Sequence, residues 1–157
     1  MKRLCLIALV VGLMLFSASY ANAQSPSAET LSKAIQSAVP AEFGYVENTD
    51  YLMKHEFSSL QNVLEGCIVV CADSTNFSEF GVFLVEKPED VKSCIACLRE
   101  YLDKRKEQFK SGVVYNAEEY PKFENAKAWA VGRFVVYTIL DSTQNAIVEK
   151  TVKSMLK

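Results

Sequence analysis

From Ala126 to Ile139 the chain spells a β-hairpin that is apolar on both of its faces. Gly132-Arg133 supplies the turn, since glycine at the first central position suits a type II′ turn whose twist matches the flanking strands. With Val131 and Phe134 beside the turn, alternation puts Trp129 and Val136 on their face. Ala126, Ala128, Ala130, Val135, Tyr137 and Ile139 then line the other. A sheet wetted on one side alternates apolar with polar residues. This hairpin does not, so something must lie against each side of it. The alanine-rich face suits closely packed helices. The Trp129, Val131, Phe134 and Val136 face has two outlets. Another helix or the N-terminal segment covers it, making a three-layer domain, or it is an exposed patch that binds a partner, a hydrophobic ligand or a second copy of the chain.

The rest of the sequence supplies the other layers. Leu31, Ala34, Ile35, Ala38 and Val39 recur at helical spacing until Pro40, which predicts a helix over about 27–39. Capping oxygens on Asn48, Thr49 and Asp50 precede a shorter helix near 50–58. Residues 67–72 are rich in β-branched side chains and 77–86 are again strand-like, so these two segments pair as an antiparallel hairpin. Pro88, Glu89 and Asp90 suit the first turn of a long helix, where proline loses no hydrogen bond and acids favour the positive end of the dipole. Val91, Ile95, Leu98, Leu102 and Phe109 form its apolar stripe, Lys104-Arg105-Lys106 its solvated side, and Gly112 its end. A tyrosine-rich loop containing Tyr115, Tyr120 and Pro121 leads to the final hairpin, with strands over 124–131 and 134–140, and a closing helix spans about 142–156. The predicted order is α-α-β-β-α-β-β-α. That is an α+β domain whose antiparallel sheet has about four strands in two hairpins.

The first 23 residues carry an address. Lys2 and Arg3 precede an apolar run over 4–16, and Ala21-Asn22-Ala23 places small residues where a signal peptidase reads, so 1–23 is expected to be a signal peptide and 24–157 a single domain. The run is shorter than the roughly 20 residues a membrane span needs, and no later stretch approaches that length. No integral membrane span is expected, although an uncleaved N-terminal anchor is the alternative such a segment allows. Gln24 rather than cysteine follows the expected cut, which gives no basis for a lipid anchor. Removing Lys2 and Arg3 turns 17 basic against 19 acidic residues into 15 against 19, so no basic footprint for nucleic acid is expected. With 50% hydrophobic residues, 6 glycines and 4 prolines, the chain has the means to fold rather than stay disordered. The expected location is secreted, extracellular or periplasmic.

The second half resembles a bacterial extracytoplasmic family catalogued as domain of unknown function 4358. Carrying the resemblance are Glu79-Phe80-Gly81-Val82-Phe83, Pro88-Glu89-Asp90-Val91, Tyr115 with Glu118-Glu119-Tyr120, Phe123-Glu124-Asn125-Ala126 and Gly132-Arg133-Phe134-Val135-Val136. Their order is similar to that family's strand, long helix, tyrosine loop and final hairpin over roughly 65–157. The resemblance implies an exported or surface-held α+β domain without an established catalytic activity, so it brings no catalytic residues with it. Many members look like lipoproteins, and this chain departs from them in lacking the lipid-bearing cysteine.

Four cysteines remain once Cys5 leaves with the signal: Cys67, Cys71, Cys94 and Cys97. An even count in an exported domain points to disulfides. Cys67 and Cys71 on one strand face stand about 13 Å apart, whereas Cys94 and Cys97 are about one helical turn apart. Two parallel strand-to-helix bridges would be strained. A single bridge from the strand to Cys94 or Cys97 is more comfortable, and a Cys94–Cys97 bond is a second outcome. As a redox pair, Cys94-Ile95-Ala96-Cys97 lies well inside its helix instead of at the N-terminus where thiolates are stabilised. A zinc site would need four ligands to converge. The helical wheel places Cys94 in the core and Cys97 at its edge.

Nothing else spells catalysis. His55 is the only histidine, there is no serine-hydrolase elbow or zinc-protease motif, and no glycine-rich phosphate loop, so no catalytic, cofactor-binding or metal residues are assigned. Glu118-Glu119 reads as a solubilising pair, and Asn76-Phe77-Ser78 fits a glycosylation sequon. The leading expectation is a non-enzymatic secreted or envelope domain that binds an envelope protein or small ligand. Its rivals are a thiol–disulfide oxidoreductase using Cys94 and Cys97, and a secreted inhibitor or effector.

Overall fold

The computed structural model describes residues 25–112 and 116–157. The segment read as a signal, 1–23, lies outside the described residues, as does Tyr115. Helix α1 (Ala28–Ala38) starts where Ser27 accepts the Thr30 N–H at 3.1 Å, and it stops just before Pro40. Strand β1 (Tyr45–Glu47) follows Gly44, whose φ of 75° only glycine adopts freely. Then come α2 (Thr49–His55), β2 (Val63–Cys71) and β3 (Glu79–Val85). The long helix α3 (Asp90–Ser111) leads to a short α4 (Tyr120–Glu124), the hairpin strands β4 (Lys127–Val131) and β5 (Phe134–Ile139), and the closing α5 (Ser142–Met155).

The fold is α+β, as the hairpin pattern predicts, but the sheet has five strands and not four. All neighbours are antiparallel in the order β1-β2-β3-β5-β4. The added strand is β1, which pairs Tyr45 with Cys71 and Glu47 with Val69. Three residues are too few to carry a period-2 signal. The expected tyrosine loop contains α4, with Pro121 in its first turn, and this short helix moves the start of β4 to Lys127. Pro88 lies two residues ahead of α3 rather than in it, and the helix begins at Asp90, whose carboxylate accepts the Lys87 N–H at 3.1 Å and an Asn62 Nδ2–H at 2.8 Å. The Gly132-Arg133 turn has glycine at φ 59° and no positive φ at Arg133, which is the II′ pattern.

The sheet is roofed on both sides. On one side α3 packs with α2 and α4, burying Ile68, Phe83, Val135, Tyr137 and Ile139 beneath Leu98 and Leu102. On the other, α1 and α5 lie side by side over Cys67, Val69, Val82, Phe134 and Val136, with Leu31, Ile35, Val148 and Val152 as their contact side chains. Burying each such aliphatic chain contributes about 1.5–3 kcal/mol. A capping box between Asp141 and Gln144 starts α5. Buried Asn145 then ties α5 to the sheet by accepting the Thr138 hydroxyl and donating to the Leu140 carbonyl at 2.9 Å. No helix among the described residues is long and apolar enough to cross a membrane.

Candidate functional site

The two-sided roof decides the hairpin's outer face. Phe134 and Val136 are buried under α1 and α5, and Trp129 and Val131 are partly buried against the same cluster. The three-layer reading is what the chain adopts, so this face is no exposed docking patch.

The cysteines divide across the sheet. Cys67 lies in the core on the α1/α5 side, and alternation along β2 puts Cys71 on that side too. Cys94 and Cys97 belong to α3 on the opposite side. The expected strand-to-helix bridge would have to pass through the sheet, and all four thiols are free. The same separation prevents the four from converging on one metal ion. Cys94 is buried, and that burial pushes its thiol up to about 12, with Cys97 beside it acting in the same direction. A reactive thiol needs the reverse, a pKa lowered toward neutrality. Cys97 is half-buried at the edge of the core, its sulfur 3.9 Å from the Ser59 hydroxyl. Both positions match the helical-wheel expectation.

Polar residues that the sequence reading passed over form a more unusual arrangement. Glu79 opens β3 and is almost fully buried on the α3 side. Two phenols make that burial tolerable, because Tyr101 from α3 and Tyr137 from β5 each donate to Glu79 Oε1 at 2.6 Å. Tyr137 reaches this point because Gly81 leaves room, its ring standing where a Cβ on residue 81 would be. Both phenol pKa values are pushed up, chiefly by burial and then by the Glu79 charge, so the hydroxyls stay protonated donors. One helical turn beyond Tyr101, Arg105 follows it toward the carboxylate. Its Nη2 stands 3.6 Å from Glu79 Oε2, an ion pair too long for a good N–H···O hydrogen bond. Its Nε is buried and has no hydrogen-bond partner among the described residues.

Arg105 borders three clefts, two of which it shares with Glu79. One, of about 260 Å³, is lined by Asn48, Tyr51, Glu56, Val70 and Gln108. The other, of about 240 Å³, is lined by Asp73, Asn76, Phe77 and Ser78, and Glu79 and Arg105 border both. Here Arg105 departs from the solvated basic run it was expected to share with Lys104 and Lys106, its side chain being 30% exposed. Glu119 is also more than a solubilising acid. It is largely buried, accepts the Phe77 N–H at 2.7 Å and pairs with Lys122 at 2.7 Å, which fixes α4 beside the second cleft. His55 is exposed as expected, its ring tilted against the Tyr51 ring with centroids 4.6 Å apart.

Comparison with protein families, with curated proteins and with solved structures found no match to this chain.

Proposed function

We propose that this chain is an exported, non-catalytic binding domain whose site is the paired cleft at Arg105. The observation that carries the reading is an arginine at the mouth of a polar cleft, anchored near a buried carboxylate but with its hydrogen-bonding capacity unspent. Buried donors are almost always satisfied in folded proteins, so an unpaired one beside a cavity supports a ligand as its partner. Export rests on the Lys2-Arg3 start, the apolar run over 4–16 and the Ala21-Asn22-Ala23 cleavage pattern. The resemblance to the extracytoplasmic family points the same way. Catalysis is a poorer account, because the buried groups most capable of proton transfer, Tyr101 and Tyr137, are committed as donors to Glu79.

Native mass spectrometry of the protein purified from its own host's extracytoplasmic fraction tests the proposal. The expected spectrum shows a chain beginning at Gln24 with a non-covalent adduct, and an Arg105→Met variant that folds but lacks the adduct. An adduct of equal occupancy in both proteins, or a wild type without one, would overturn it.

A further inference from the structure

We propose that the group recognised at Arg105 is a single carboxylate. This rests on the binding reading above and adds the chemistry of the ligand. The basis is a donor and acceptor account of the cleft. Several acceptors around it are already engaged: Glu79 Oε1 takes two phenols, Glu56 Oε2 takes Lys104 Nζ at 2.6 Å, and Asp73 takes both the N–H and the hydroxyl of Thr75. Asn76 Oδ1 takes the Ser78 N–H at 3.0 Å and Lys122 Nζ at 2.7 Å. The principal donor is not occupied. Arg105 Nε has no partner among the described residues, and Nη2 falls short of a hydrogen bond to Glu79. A guanidinium's planar fork matches two oxygens in one plane, which is the geometry of a carboxylate.

Charge narrows the class. Glu79 stands beside the guanidinium, and Glu56 and Asp73 line the two clefts, so a dianion such as phosphate meets more repulsion here than a monoanion does. Because the 3.6 Å pair is not a hydrogen bond, Arg105 can turn from Glu79 toward the cleft without breaking one. Tyr101 and Tyr137 still hold Glu79 Oε1 after the move, while Oε2 gives up its ion pair with Arg105. The carboxylate could belong to a free small acid or to the C-terminus of a peptide, and the two are separable by experiment.

The test is an ¹⁵N NMR titration of the mature protein with acetate, N-acetylphenylalanine and N-acetylphenylalaninamide, reading the Arg105 Nε–Hε resonance and the Val70 and Ser78 amides. We expect saturable shifts with the acids and at least about tenfold weaker binding of the neutral amide. Arg105→Lys, which keeps the charge but not the fork, should weaken N-acetylphenylalanine at least about tenfold, with resonances distant from the cleft unchanged. Acetate binding as tightly as N-acetylphenylalanine identifies free acids as the source, and tighter N-acetylphenylalanine binding identifies a peptide terminus. Equal binding of acid and amide, or an unaffected lysine variant, would overturn the carboxylate assignment while leaving a binding cleft in place. Silence of all three probes would overturn the assignment as well, and the native mass experiment alone would then decide whether the cleft binds anything.

Discussion

Replacing Gly81 by alanine should be among the most destabilising small changes available to this protein. A Cβ at this position would stand 2.3 Å from Cε1 of Tyr137 and 3.2 Å from Cγ1 of Ile68. Gly81 does not have a positive φ, so the effect comes from space and not from backbone strain. The ring has nowhere to go. Tyr137 is fully buried, its ring lies among Phe57, Tyr101 and Phe83 with centroids 6.0, 5.6 and 6.2 Å away, and its hydroxyl is fixed on Glu79 at 2.6 Å. Overpacking of this kind costs about 1–3 kcal/mol. Displacing the ring also loses a hydrogen bond to a charged group, about 1.5–3 kcal/mol. Lower chain entropy in the unfolded alanine variant offsets roughly 0.4–1 kcal/mol. The net is a loss of about 3 kcal/mol, which corresponds to a fall in Tm on the order of 10 °C for a domain of this size. Urea unfolding followed by Trp129 fluorescence and circular dichroism measures it. Tyr137→Leu, which empties the space, should make the double variant less destabilised than the two single losses together. A Gly81→Ala protein within about 0.5 kcal/mol of wild type would refute the reasoning.

Two further outcomes follow from the packing. Trp129→Ser should cost about 2 kcal/mol through lost contact with the α1/α5 layer, with no change in mass by analytical ultracentrifugation. A shift in mass with stability intact would mean that the face is an interface after all. Stability should also fall as pH rises above about 8.5, because the unfolded chain then loses the Cys94 proton that the folded state keeps. With the folded thiol held up to about 12, that difference amounts to about 2 kcal/mol by pH 10. Urea titrations at pH 8 and pH 10 should therefore show a smaller alkaline loss in Cys94→Ala than in wild type. Equal losses would contradict the assignment.

The parts of this fold that can be read from sequence are those whose signals are local and repeated. The β4–β5 hairpin is legible because its alternation is unbroken on both sides of a glycine turn, and its two-faced character already calls for layers above and below. Helices α1 and α3 announce themselves through periodic apolar residues and the proline or glycine at their ends. Strand β1 is invisible because its three residues acquire meaning only from pairing with β2. Spacing sets how far apart the cysteines are along the chain, but not on which side of the sheet each pair falls. The cleft was the least legible part. Arg105 sits in a run of three basic residues that looks solvated, and its partner Glu79 is 26 positions earlier in a strand. The β3–β5 register, with Gly81 opposite Tyr137, brings one phenol to the carboxylate, and the packing of α3 brings Tyr101 and Arg105.

Electron density beside Arg105 tests the central claim most directly, in crystals of the protein purified from its host and grown without added carboxylates. The account predicts a non-protein group within hydrogen-bonding distance of the guanidinium, with Glu79 still held by both phenols. A closed Arg105–Glu79 hydrogen bond beside a cleft containing only water would contradict it.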